Sequence, residues 1–140
     1  MRILVSACLL GCPCRYDGAS RPHPEVLALA ERHALVPVCP EQLGGLPTPR
    51  PPAERRGDRV VTQSGDVTEQ YRRGAAEAVR LARLLRCDGA VLKEKSPSCG
   101  RGAIYDGTFT RTLTSGDGVT AEALLAAGIP VYGESEAEKL

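Results

Sequence analysis

The sequence predicts a single α/β domain over residues 1–140, in which helices cover both faces of a mostly parallel sheet in a three-layer, Rossmann-like fold. Two observations carry this prediction. Short apolar runs that are typical of buried strands alternate along the chain with longer amphipathic segments that are typical of helices. In addition, 42% of the 140 residues are hydrophobic and 25% are charged, which is ordinary for one globular domain with one core.

The first half of the chain supplies two predicted strands, a helix and a long loop. Residues 3–6 form a short apolar run that ends in a loop rich in Gly, Pro and Cys, so we expect a buried strand. Residues 24–33 combine periodic apolar positions with proline in the first turn, which predicts a helix. Residues 34–38 form a second apolar strand. Residues 44–57 are so rich in Pro, Gly and Arg that we expect a long surface loop or lid.

The second half continues the alternation and contains the strongest helical pattern of the chain. Between residues 67 and 86, seven apolar residues fall on one helical face and arginines crowd the opposite face. A turn-rich segment is expected between the core strand at 88–93 and Gly118. Gly128 is expected to end the last helix, at 119–127. The other predicted elements are a short edge strand at 59–62, the core strand at 88–93, a helix at 119–127 and a strand at 129–132.

Composition and the N-terminal segment bear on location and on the class of partner. The run MRILVSACLL superficially resembles a signal peptide, but residues 11–15 interrupt it and no small-residue cleavage site follows. We therefore expect a cytoplasmic protein, and no apolar run reaches the roughly 20 residues that span a bilayer. A net charge of +1 and an aromatic content of 4% argue against nucleic acid as the main partner.

Three of the six cysteines follow predicted strands of the parallel sheet. Cys8 comes after the first strand, Cys39 after the second, and Cys99 lies in the loop that leaves the strand at 88–93. Parallel strands bring their carboxyl ends to one edge, where ligands bind. In a reducing compartment, thiols that meet there are candidates for iron–sulfur or zinc ligation. A lone cysteine after a strand is more often a buried apolar residue, but three at equivalent positions favour a site.

The number of ligands separates the two kinds of metal site. Structural zinc takes four protein ligands, whereas three spaced thiolates fit better a cubane cluster whose fourth iron is open. Cys12 and Cys14 remain alternative ligands, because with Cys8 they form a C-x3-C-x-C pattern. Cys87 is expected in the core, and both histidines at helix ends or on the surface.

Polar residues flank these cysteines and could take part in chemistry. Glu41 lies two residues after Cys39, where a carboxylate could serve as a general acid or base. Ser96 and Ser98 lie just before Cys99 and could face a bound sulfur or water. Each could equally be an ordinary turn residue. Lys93 and Lys95 could offset thiolate charge. Arg15, Asp17 and Arg50 lie in predicted loops and could contact a substrate, but each is more simply a surface residue.

Four motifs, in order along nearly the whole chain, resemble a family of bacterial and archaeal proteins now represented by the thiouracil desulfidases. They are SACLLG with RYDG (residues 6–11 and 15–18), VCPEQLGGLPTPRPPAE (38–54), GDVTEQY (65–71) and LKEKSPSCG (92–100). The resemblance implies a 4Fe-4S cluster on Cys8, Cys39 and Cys99. It further implies that the free iron binds the sulfur of a thiolated pyrimidine, a small molecule, and that water replaces this sulfur without net redox change.

The resemblance also implies that Glu41 and a serine of the SPSC loop, either Ser96 or Ser98, assist the reaction. The chain departs from the family by adding Cys12 in the first loop. Alternative functions are a non-catalytic structural zinc or iron–sulfur protein and a thiol-based sulfur carrier. The C-x-C pair is a poor match to the C-x-x-C motif of oxidoreductases, which argues against the carrier.

Overall fold

The structure is a computed structural model that describes residues 1–140. Its strands, in chain order, are β1 (Arg2–Ser6), β2 (Ala34–Val38), β3 (Ala53–Arg56), β4 (Arg59–Thr62), β5 (Gly65–Asp66), β6 (Gly89–Leu92), β7 (Ala103–Tyr105), β8 (Leu113–Ser115) and β9 (Val131–Gly133). The α-helices are α1 (Pro24–Ala28), α2 (Pro40–Leu43), α3 (Thr68–Leu84) and α4 (Val119–Ala126), and 3-10 helices occupy Ala7–Leu10, Leu29–Glu31 and Glu134–Lys139. No helix is both long and apolar enough to cross a membrane.

A four-stranded parallel sheet in the order β2-β1-β6-β9 forms the centre of the molecule. Its two inner strands are buried along almost their whole length, because their sequences, RILVS and GAVL, are nearly continuous apolar runs. The chain passes from β1 to β2 on one side, and β6 then returns to the other side of β1. The strand order therefore reverses at β1, and the carboxyl end of this strand is where such sheets place a ligand site.

Helices cover both faces of this sheet. On one face, α3 and α4 pack over a core that includes Leu4, Leu92 and Leu124. On the other face, α1 and the C-terminal 3-10 helix pack over Ile3 and Val91. The predicted α/β class, with a parallel sheet between helical layers, is confirmed.

Several predicted elements differ from the structure in extent or in place. The segment 44–57 is only partly a loop, because its end forms β3 and pairs with β4. The predicted strand at 59–62 has the right bounds but is the middle strand of the small antiparallel sheet β3-β4-β5, so its assignment to an edge was wrong. The turn-rich segment before Gly118 contains the hairpin β7–β8. The helix at 24–33 is regular only over α1 and then tightens to a 3-10 turn.

Two glycines bring α2 against α3. A Cβ added to Gly74 would collide with the carbonyl oxygen of Pro40, and one added to Gly44 would collide with that of Gln70. Only glycine allows such a close approach between two backbones. Because α2 carries Glu41 and begins directly after Cys39, this contact fixes the position of both residues.

Gly74→Ala is therefore expected to lower the free energy of unfolding by about 1–3 kcal/mol, as overpacked sites do. Alanine has the better helix propensity, but this gain of roughly 1 kcal/mol is smaller than the strain at the upper end of that range. Chemical denaturation measures the change. Gly65→Ala is the control, since nothing lies within 4 Å of its added Cβ. Equal stability of the two variants would contradict the close approach.

Candidate metal centre

The carboxyl ends of three strands present Cys8, Cys39 and Cys99. Cys8 lies in the 3-10 helix that follows β1. This helix ends at Gly11, which has a φ of 102°. Cys39 lies between β2 and α2, where Pro40 occupies the first helical position. Cys99 lies in the loop after β6. Cys8 and Cys99 are buried and Cys39 is half-buried. All three follow strands of the parallel sheet, whose carboxyl ends lie at the predicted edge.

A fourth cysteine belongs to the same cluster. Cys14 is buried, with 6% of its surface exposed, and its thiol lies beside those of Cys39 and Cys8. The Cys39 thiol also lies 3.7 Å from the carbonyl oxygen of Cys14. Cys12, by contrast, is exposed, and Cys87 packs half-buried against the core as predicted. The sequence left Cys12 and Cys14 equivalent, and the structure separates them.

Burial and mutual contact hold these thiols in the neutral form. Hydrogen bonding with Cys14, followed by burial, raises the pKa of Cys39 far above the ordinary value of a thiol. Burial raises the pKa of Cys99 to about 12, although the nearby Ser6 hydroxyl opposes the shift. At Cys14, hydrogen bonding with Cys39 lowers the pKa, but the Cys8 thiol and burial outweigh it and raise the value to about 11.

The cysteine thiols at this edge of the sheet are chemically suited to bind an iron–sulfur cluster. Thiolates are the usual ligands of such clusters and favour soft metals. No three side chains of Cys, His, Asp or Glu converge at the spacing of a single metal ion. A polynuclear cluster does not require that convergence, because each thiolate binds a different iron.

Glu41 lies in the first turn of α2, beside the cysteines. Its Oε2 accepts hydrogen bonds from both Nε, at 2.8 Å, and Nη2 of Arg50. The Tyr71 side chain is buried next to it, and burial together with the charge of Glu41 raises the pKa of Tyr71 well above its ordinary value. Arg50, treated from sequence as a loop residue for substrate or solvent, is in fact only 8% exposed. Sequence reasoning named Arg50 only as a candidate for substrate contact or for the surface, and it did not name Tyr71 as a site residue.

The two serines before Cys99 have different roles in the loop. Ser96 Oγ accepts hydrogen bonds from the backbone N–H groups of Ser98 and Cys99, at 3.1 and 3.0 Å. The Ser96 hydroxyl proton has no acceptor within the protein. Ser98 is buried, and its hydroxyl pairs with that of Thr120 at 2.8 Å. Ser96 is therefore free to donate a hydrogen bond, whereas Ser98 joins the loop to α4.

The remaining charged candidates lie around this site without entering the thiol cluster. Lys93 forms an ion pair with Glu134 at 2.7 Å, and Lys95 is exposed, with a φ of 70°. Arg15 and Asp17 lie 4.0 Å apart in the first loop.

Comparison with known proteins identifies the family of the chain. The model of the 2-thiouracil desulfurase family matches residues 3–136. The chain belongs to this family. It is also similar to a solved structure described as the [4Fe-4S]-dependent thiouracil desulfidase TudS, with 47% identity and a TM-score of 0.90 over 99% of this chain and 94% of the other. The uncharacterized protein YbbK of Bacillus subtilis strain 168 is 44% identical, and the match covers 96% of each chain.

Within this 2-thiouracil desulfurase fold, Ser98→Ala is expected to cost stability. The change leaves the buried Thr120 hydroxyl without its partner, which costs about 1–3 kcal/mol. Thermal or chemical denaturation measures the loss. Adding Thr120→Val removes the unpaired group and should recover part of the stability. If Ser98→Ala is as stable as the parent protein, the pair is not structural.

Proposed function

We propose that this protein is an iron–sulfur-dependent 2-thiouracil desulfurase that replaces the sulfur of a thiolated pyrimidine with oxygen from water. The observation that carries the proposal is the meeting of Cys8, Cys39 and Cys99 at the carboxyl edge of the sheet, beside Glu41. Family membership and the description of the similar solved structure support it. Free thiols throughout the chain suit a reducing compartment, so we place the protein in the cytoplasm.

Cys8, Cys39 and Cys99 would hold a 4Fe-4S cluster. When bound, its iron without a protein ligand would bind the substrate sulfur and act as a Lewis acid that polarises the C–S bond. The cysteines come from three separate segments, and two of them, Cys8 and Cys99, are buried, which limits the access of solvent to such a cluster. Cys14 lies against two of them, so we assign it to the surroundings of the site.

Glu41 and Ser96 would handle the incoming water. Glu41 Oε1 can orient the water and accept its proton, and the Ser96 hydroxyl can donate a hydrogen bond to it. A C–O bond forms at the carbon that carried sulfur and the C–S bond breaks. The two protons of the water end on the departing sulfide. Carbon and sulfur keep their oxidation states, so the reaction needs no electron donor.

The experiment is a turnover assay on protein loaded with iron and sulfide under strict anaerobiosis. Incubation with 2-thiouracil should yield uracil and sulfide in equal amounts without a reductant. Protein stripped by a chelator should yield neither. A requirement for a reductant would overturn the non-redox assignment, and inactivity of fully loaded protein would overturn the proposed reaction.

A second candidate function rests on the position of Cys14. With Cys14 counted, the site offers four thiols, which is the number of ligands that a structural zinc takes. In this structure no three of them converge at the spacing of a single metal ion. Metal analysis separates the two candidates. Protein purified without oxygen should be brown and contain iron and acid-labile sulfide, whereas a structural zinc protein would be colourless and contain one zinc per chain.

A further inference from the structure

The guanidinium group of Arg50 forms an unusually complete set of hydrogen bonds. It donates to Oε2 of Glu41 from Nε and from Nη2, to Pro47 O and Thr48 Oγ1 from Nη1, and to Cys14 O from Nη2. A guanidinium has five N–H donors, so every donor has a partner within the protein. Arg50 has none left for a substrate.

The two contacts with Glu41 both involve the same carboxylate oxygen. Nε and Nη2 both meet Oε2, whereas neither donates to Oε1, and the Tyr71 side chain is the other group beside the carboxylate. The Glu41 side chain is 14% exposed, and Oε1 is not among the buried unpartnered atoms. The carboxylate is thus anchored through one oxygen and open through the other.

Arg50 also connects the segments that surround the cysteines. Its bond to the carbonyl oxygen of Cys14, at 2.9 Å, reaches the first cysteine loop. Its bonds to Pro47 O and Thr48 Oγ1, at 3.2 and 2.9 Å, hold the proline-rich segment in place. Burial disfavours the charge of Arg50, but Glu41 outweighs this and raises the pKa of the guanidinium. The group is a permanent cation in a fixed place.

We infer that Arg50 is a positioning residue, which holds Oε2 of Glu41 so that Oε1 is the oxygen presented to the attacking water. The inference rests on the proposed function and deepens it by assigning the two carboxylate oxygens separate tasks. Arg50 itself touches neither substrate nor water. Because misplacement of a reacting group by about 1 Å can cost 10²-fold in rate, the anchor matters even though it takes no part in the proton transfer.

The test combines kinetics of loaded protein with crystal structures of the variants. Arg50→Met should lower kcat by about 10²-fold, with KM and bound iron unchanged, and Glu41 should adopt a different rotamer. Arg50→Lys can still donate to Oε2 and should recover part of the rate. In the Glu41→Gln background, Arg50→Met should have little further effect, because a residue that acts only through Glu41 is strongly non-additive with it.

Arg55→Met is the matched control. Arg55 likewise donates to a carboxylate, that of Glu122, and to a backbone carbonyl, that of Asp117, but it belongs to a different ion pair. The Arg55→Met substitution should leave kcat unchanged. The inference is overturned if Glu41 keeps its rotamer in Arg50→Met, if iron falls in step with kcat, or if the effects of Arg50→Met and Glu41→Gln simply add. Wild-type protein that binds its cluster but forms no uracil would refute the proposed reaction, while the Glu41 rotamer would still decide the role of Arg50.

Discussion

Replacing Cys39 by serine is expected to abolish cluster binding and, with it, all desulfurization. The thiol lies between β2 and α2, half-buried and in contact with Cys14. A serine hydroxyl is a much harder donor than a thiolate and a poor substitute for it at iron. Cys8→Ser and Cys99→Ser should give the same result, since the three residues supply one ligand each. Bound iron and acid-labile sulfide, measured after anaerobic reconstitution, report the loss.

The remaining cysteines provide controls within the same chain. Cys12→Ser should retain its iron, because Cys12 is exposed, and Cys87→Ser should retain it as well. Cys14→Ser is the most informative variant, since its thiol touches two of the proposed ligands. We expect it to keep the cluster. If Cys14→Ser loses iron while Cys99→Ser keeps it, then Cys14 is the third ligand and the assignment made from the strand ends is wrong.

Glu41→Gln is expected to leave the cluster in place and to remove most of the turnover. Glutamine preserves the shape of the side chain but cannot accept the proton of the attacking water. General acid or base groups contribute about 10²–10⁴-fold to rate, and we expect a loss of kcat within that range. The assay is uracil formation by protein whose iron content matches that of the wild type.

Glu122→Gln is the control for the loss of a carboxylate. Glu122 also forms an ion pair with an arginine, Arg55, but it is exposed on α4. Its replacement should leave uracil formation unchanged. If Glu41→Gln forms uracil at the wild-type rate, the carboxylate only anchors α2 and Arg50, and another group must activate the water.

The alternation of apolar runs was enough to predict the central sheet, because the inner strands of a parallel sheet are buried on both faces. It could not predict the small antiparallel sheet. The strand β3 has the sequence AERR, in which only Glu54 is buried, so the strand carries no apolar pattern. The buried Glu54 carboxylate instead accepts hydrogen bonds from the backbone N–H groups of Gly107 and Phe109. Hydrogen bonds of this kind join distant segments and leave no local signal in the sequence.

The same distinction applies to the site. Strand ends could be located from the sequence, and so could the cysteines that follow them. The burial of Arg50 and its pairing with Glu41 could not be predicted, because an arginine among prolines ordinarily lies in solvent. What buries it is the carboxylate of Glu41, nine residues earlier, and that partner becomes evident only when the proline-rich segment folds back. Cys14 was ambiguous because one residue of separation turns one thiol inward and leaves the other outside.

The most direct test of the account is the Mössbauer spectrum of protein assembled anaerobically with isotopically enriched iron. Three cysteine ligands leave one iron of the cluster chemically distinct. We expect a spectrum with three similar irons and one different iron, and a change in that one signal when 2-thiouracil is added without a reductant. Four equivalent irons that ignore the thiolated pyrimidine would contradict it, since they would mean a closed site with four protein ligands.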